Sequence, residues 1–126
     1  QIIEEINKHK KQGAEIVMLS SAITQICSPL AKHLAMNTVI CSELETKNQN
    51  FTGLPLGRFC LKEEKLKRLK EYLQTNKYTG EDLYYYGDSI DDLPVLQSVK
   101  HPVCVNPDKR LGKIARKQNW EIHNWD

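Results

Sequence analysis

Three carboxylates fall within five residues in the stretch Gly87-Asp88-Ser89-Ile90-Asp91-Asp92. Like charges at that spacing repel, so a chain that crowds them has a cation or water there. The apolar run Leu83-Tyr84-Tyr85-Tyr86 that leads into Gly87 has the character of a strand, which sets Asp88 at a strand end. Asp92 lies four residues on, in the first turn of a short helix over 91–98, where acids favour the helix dipole. A tight turn would bring Asp88 and Asp92 to one point. Hard oxygen ligands with little else around them suit Mg²⁺, which keeps several waters and needs one or two carboxylates plus a phosphate. The plainer role, capping the helix, suits Asp91 best. For Asp88 with Asp92, metal binding is the preferred reading.

A second polar pair, Ser20-Ser21, follows the apolar run Glu15-Ile16-Val17-Met18-Leu19. A hydroxyl at a strand end, before small residues and a helix, offers an anion a side-chain donor and backbone N–H groups. It would serve equally as a helix N-cap. Lys65 sits among other charges in Cys60-Leu61-Lys62-Glu63-Glu64-Lys65, and nothing local separates it from a solvated lysine. No histidine pattern suggests catalysis, and there is no Gly-rich phosphate loop. The four cysteines (Cys27, Cys41, Cys60, Cys104) are widely spaced in apolar contexts, with no CxxC pair, and read as reduced, buried thiols of a cytoplasmic protein.

These residues need elements to hold them. Helices are expected over 2–12, with Ile2, Ile3 and Ile6 on one face, over 23–36 with Pro29 as a kink or start, over 62–76, over 91–98 and over 108–119 with Pro107 near its first turn. Strands are expected over 15–19, 38–42, 83–87 and 101–105, with a short strand or tail at the end. Residues 43–55 read as a hairpin or extended excursion. Trp120 and Trp125 are expected to pack against the core. Strands alternating with helices, without repeats or linkers, argue for an α/β sheet with mostly parallel strands in a single domain over 1–126. Ligands in such sheets sit beyond the carboxyl ends of the strands, where Ser20-Ser21 and Gly87-Asp88 fall.

The 126 residues are 40% hydrophobic and 27% charged with net charge +2, the balance of a globular domain. The one basic run, around residues 62–72, is interleaved with Glu63, Glu64 and Glu71 and forms no stripe for nucleic acid. No apolar run reaches the length of a membrane span.

In order, Ile16-Val17-Met18-Leu19-Ser20-Ser21-Ala22, then Phe51-Thr52-Gly53-Leu54-Pro55 through Lys65, then Gly87-Asp88-Ser89 with Asp92, Pro94 and Leu96, then His101-Pro102-Val103 with Val105-Asn106-Pro107-Asp108, resemble the haloacid dehalogenase (HAD) superfamily, in its phosphoserine-phosphatase-like branch. The resemblance runs from about Glu15 onward. It implies a HAD-like Rossmannoid three-layer α/β/α core. It also implies Mg²⁺-dependent hydrolysis of a small phosphomonoester through an aspartyl-phosphate. Ser20 matches the serine that hydrogen-bonds the phosphoryl group, with the Ser21 amide adding to that grip. Lys65 matches the lysine that offsets charge on the phosphoryl oxygens and the nucleophile, which reverses its local reading. Asp88 matches a magnesium ligand and Asp92 the second acid, in the first or second metal shell. A related acidic motif in P-type cation pumps reads GDGxND and sits between membrane spans, unlike this one.

The family nucleophile is a DxDx[TV] at the end of the first strand. No two aspartates of this chain have D-x-D spacing. The chain also opens without Met, on Gln1-Ile2-Ile3, and is expected to be the carboxyl-terminal part of a longer protein whose amino-terminal segment supplies the nucleophile and a cap. Loss of that central strand would leave a gap in the sheet or force its neighbours together, a loss comparable with the ~5–15 kcal/mol stability of a typical domain. The alternative reading is a non-catalytic Mg²⁺- and phosphate-binding module.

Overall fold

The computed structural model describes all 126 residues, which form two compact units, Gln1–Cys60 and Leu61–Asp126.

The first unit runs α1 (Ile2–Lys11), β1 (Val17–Ile23), α2 (Thr24–His33), β2 (Thr38–Ser42), β3 (Leu44–Lys47) and β4 (Asn50–Pro55). Glu4 and Glu5 open α1 and four basic residues close it, matching the helix dipole. Of its three isoleucines only Ile6 is buried; Ile2 and Ile3 are exposed, so the expected inward face is narrower than drawn. β1 pairs in parallel with β2 in regular register from Val17↔Thr38 to Leu19↔Ile40, then slips and resumes at Ile23↔Ser42. It begins two residues later than expected and runs on to Ile23, because a bulge carries the chain through Ser20–Ala22 without ending the strand. Pro29 neither starts nor ends α2 but lies inside it. Cys27 and Ala31 form the buried side of that helix. The hairpin reading of 43–55 holds: β3 and β4 are antiparallel, and Lys47↔Asn50 flanks Asn48 and Gln49, with φ of 51° and 67°. Two consecutive positive φ values match the right-handed twist of the flanking strands. The hairpin leaves Phe51 and Leu54 more than half exposed, and Leu56 beyond it likewise.

The second unit runs α3 (Glu63–Thr75), β5 (Tyr84–Gly87), a 3-10 turn (Ile90–Asp92), α4 (Leu93–Ser98), β6 (His101–Val105), α5 (Lys109–Gln118) and β7 (Glu121–His123). β5, β6 and β7 form an all-parallel sheet, with Tyr84↔His101 through Gly87↔Cys104 and Val103↔Glu121 through Val105↔His123. Its core is Leu96, Cys104, Leu111 and Ala115, against which Tyr85, Leu93, Trp120 and Ile122 pack. Trp120 thus meets expectation, whereas Trp125 sits edge-on to His123 and is held by its backbone to the Asn106 side chain. Pro107 lies outside α5, one residue before its N-cap, Asp108; Asn119 ends that helix in the left-handed conformation at φ 58°. β1 pairs along one edge only, with β2, and β5 along one edge only, with β6. The remaining edge of each carries no ladder.

Candidate active site

Asp92 organises the end of β5. It is 4% exposed, and each carboxylate oxygen accepts two hydrogen bonds. Lys65 Nζ and Tyr85 Oη, each 2.7 Å away, donate to Oδ1. The amides of Asp88 and Ser89 donate to Oδ2 at 3.1 and 3.2 Å. Ser89 is the N-cap of the 3-10 turn, and its hydroxyl accepts the Asp91 N–H at 3.0 Å, so Ser89 and Asp92 form a reciprocal capping box. The cap is therefore real, and Asp92 adds to it a buried ion pair. Burial pushes the Asp92 carboxyl up, but the Lys65 ammonium, the Tyr85 hydroxyl and the Ser89 amide outweigh it and hold the group below the usual carboxylate range. Gly87 is required beside it: a Cβ there would lie 2.9 Å from Asp92 Cβ.

Lys65 is 7% exposed, which overturns its local reading as a solvated lysine. It lies on the inward side of α3 with Leu69, four residues away. A buried lysine needs a charge partner, and Asp92 supplies it.

Asp88 is exposed, and its carboxylate accepts no hydrogen bond. Its backbone is held at both ends, the N–H by Asp92 Oδ2 and the C=O by the Asp108 N–H at 2.9 Å. Asp91 is half-buried at the start of the turn, with Lys62 Nζ 3.9 Å from its carboxylate. No group of three or more His, Cys, Asp or Glu side chains is set to enclose a metal. Both carboxylate oxygens of Asp92 are engaged, whereas the Asp88 carboxylate is open to a hard cation. One carboxylate fits Mg²⁺, which completes its octahedron with water and phosphate oxygens.

In the first unit, Ser20 occupies the bulge of β1, and its Oγ accepts the Ala22 N–H at 3.1 Å. The N-cap of α2 is Ile23, with no side-chain capping bond, so neither serine caps that helix. Ser42, wholly buried, fixes the bulge: its hydroxyl donates to the Ser21 C=O at 2.9 Å and accepts the Cys60 N–H at 2.8 Å. The structure thus brings Lys65, Asp92 and the Asp88 backbone together within the second unit and places Ser20 and Ser21 in the first. All four cysteines are buried, as expected, and none is disulfide-bonded; burial pushes the Cys27 and Cys104 thiols up, the Asp92 charge adding to the effect at Cys104.

Sequence reasoning passed over Tyr85, Ser42 and Ser89, and read Asp108 only as part of the Asn106-Pro107-Asp108 opening of the last long helix. The Ser89–Asp92 spacing of three is a capping-box signal, and Asp108 directly after Pro107 is an N-cap signal; both were available. Nothing in the sequence distinguished Tyr85 from its two neighbours or marked Ser42.

The family model for haloacid dehalogenase-like hydrolases matches residues 1–97, and the chain belongs to that family. It is 34% identical over 124 residues to the histidinol-phosphatase of Neisseria meningitidis serogroup C (strain 8013), covering 95% of this chain and 56% of that protein. It is 26% identical to the phosphoserine phosphatase of Lactococcus lactis subsp. lactis, covering 85% of this chain and 59% of that one. Among solved structures, a protein of unknown function from Bordetella pertussis Tohama I superposes with a TM-score of 0.88 at 23% identity, over 97% of this chain and 56% of that chain. A substrate-bound phosphoserine phosphatase superposes at 0.79 and 18% identity, over 98% of this chain and 58% of that chain. The fold is that of HAD phosphatases, α/β with mostly parallel strands. The chain spans about half the length of these relatives.

Proposed function

We propose that residues 1–126 act as one core domain of a Mg²⁺-dependent phosphomonoester hydrolase. The observation that carries this reading is the buried Lys65–Asp92 pair, joined by the half-buried Tyr85, next to Asp88 with its exposed, unengaged carboxylate. Asp88 is the direct metal ligand, and Asp92 stands behind it, fixing Lys65 and the Asp88 amide. Of the two places left open for it, in the first or second metal shell, Asp92 takes the second. Lys65 offsets negative charge on phosphoryl oxygens, a stabilisation that grows as charge develops in the transition state. Ser20 donates its hydroxyl, and Ser21 its amide, to the phosphoryl group; these two roles rest on the order of the motifs. Magnesium bound at Asp88 would act as a Lewis acid on a phosphoryl oxygen. The nucleophile belongs to a DxDx[TV] strand upstream in a longer gene product, with the cap that selects the substrate. The names of the relatives favour small alcohol phosphates such as histidinol phosphate or phosphoserine.

The absence of D-x-D spacing favours a second reading, a module that binds Mg²⁺ and phosphate without turnover. p-Nitrophenyl phosphate hydrolysis with Mg²⁺ separates the two. The longer product is expected to be active and this chain inactive. No activity in either would sink the hydrolase reading, and activity in this chain alone would show that the nucleophile lies within it.

A further inference from the structure

We infer that Asp108 is a positioning residue for the Asp88 loop. An N-cap needs one acceptor, and Asp108 Oδ1 meets that need by accepting the Leu111 N–H at 2.8 Å. Its C=O also serves α5, accepting the Gly112 N–H at 2.8 Å, while its two remaining polar groups serve a different part of the chain. Oδ2 accepts the Ile90 N–H at 2.8 Å, and the Asp108 N–H donates to the Asp88 C=O at 2.9 Å. One residue therefore ties the start of α5 to the loop after β5 at two points, either side of Ser89.

The consequence falls on Asp88. Its N–H is fixed by Asp92 and its C=O by Asp108, so the Cα that carries the carboxylate hangs between two anchors. The side chain itself has no partner to orient it. Its readiness to meet a cation depends on the backbone: the Asp108 N–H holds one end of it, a bond any residue but proline keeps, and the Asp108 carboxylate, through Ile90, holds the turn that follows. Groups that orient a metal ligand in this way affect affinity without touching the ion.

This inference rests on the reading of Asp88 as the metal ligand. The test is an MgCl₂ titration of the ¹⁵N-labelled chain, following the amide signals of residues 87–92, with thermal melts of each variant in parallel. Asp108→Ser keeps a capping oxygen for Leu111 but cannot also reach Ile90. Asp108→Asn keeps the length and one acceptor oxygen but presents an NH₂ in place of the other. Both are expected to melt close to the parent and to bind Mg²⁺ about tenfold more weakly. Parent-like Mg²⁺ affinity in both would overturn the positioning role. Weakened binding that merely tracks a matching drop in melting temperature would also overturn it, leaving a helix cap alone. If the parent shows no Mg²⁺-dependent shifts, or Asp88→Asn binds as well as the parent, the metal reading falls first and this inference with it.

Discussion

Lys65 and Asp92 carry opposite charges at 2.7 Å, with less than a tenth of either side chain exposed. Removing one member of such a pair strands the other in a poor solvent. Lys65→Met is expected to lower unfolding free energy by ~3 kcal/mol, read by urea denaturation, the Tyr85 and backbone donors being too few to replace the ammonium. The same pair gives a pH dependence. The Asp92 carboxyl lies lower in the folded chain than in the unfolded one, so its contribution is fully present above the unfolded value of about 3.9 and fades as pH falls through the lower folded value. Stability measured without metal should therefore drop on the acid side, below about pH 4. In Lys65→Met the group holding the carboxyl down is gone, so the folded value moves up toward or past the unfolded one and the acid-side drop should shrink or reverse. At this scale the sequence displayed the chemistry but not the geometry. Asp88 and Asp92 were legible from spacing, because a strand followed by a turn confines them. Lys65 was legible only through the family order of motifs and not from its local sequence, because its burial depends on a partner 27 residues away.

The elements were more legible than their ends. β2 and β6 fall where apolar runs place them, and α3 follows its leucine spacing, because in each case one periodicity decides. β1 was misjudged at its far end: Ser20 and Ser21 look like a stop, yet the bulge lets the ladder resume at Ile23, under the control of the distant Ser42. Pro29 was ambiguous for a similar reason, since packing of Cys27 and Ala31 keeps α2 intact across a residue without an N–H. That tolerance has a measurable side. Pro29→Ala restores a helical hydrogen bond at an exposed position. It should raise stability by ~1–3 kcal/mol in urea denaturation, reduced by the freedom alanine returns to the unfolded chain.

The whole molecule is two compact units joined at Cys60 and Leu61. The connection from Leu56 to Lys62, exposed except at the buried Cys60, contains no regular helix or strand and holds Arg58 and Lys62. Limited trypsin digestion should cut there first, giving two fragments separable by mass; first cuts within α3 or α5 would contradict that division. In the sequence the run Gly53-Leu54-Pro55-Leu56-Gly57 leads into this connection but reads as the exit of the hairpin. The hairpin of the first unit has a separate practical consequence. Phe51, Leu54 and Leu56 lie open to solvent in the native fold. A fluorescent reporter such as anilinonaphthalene sulfonate will therefore brighten with fully folded protein, and its signal cannot serve as a sign of partial melting. The same residues should retard the intact chain on a phenyl chromatography column.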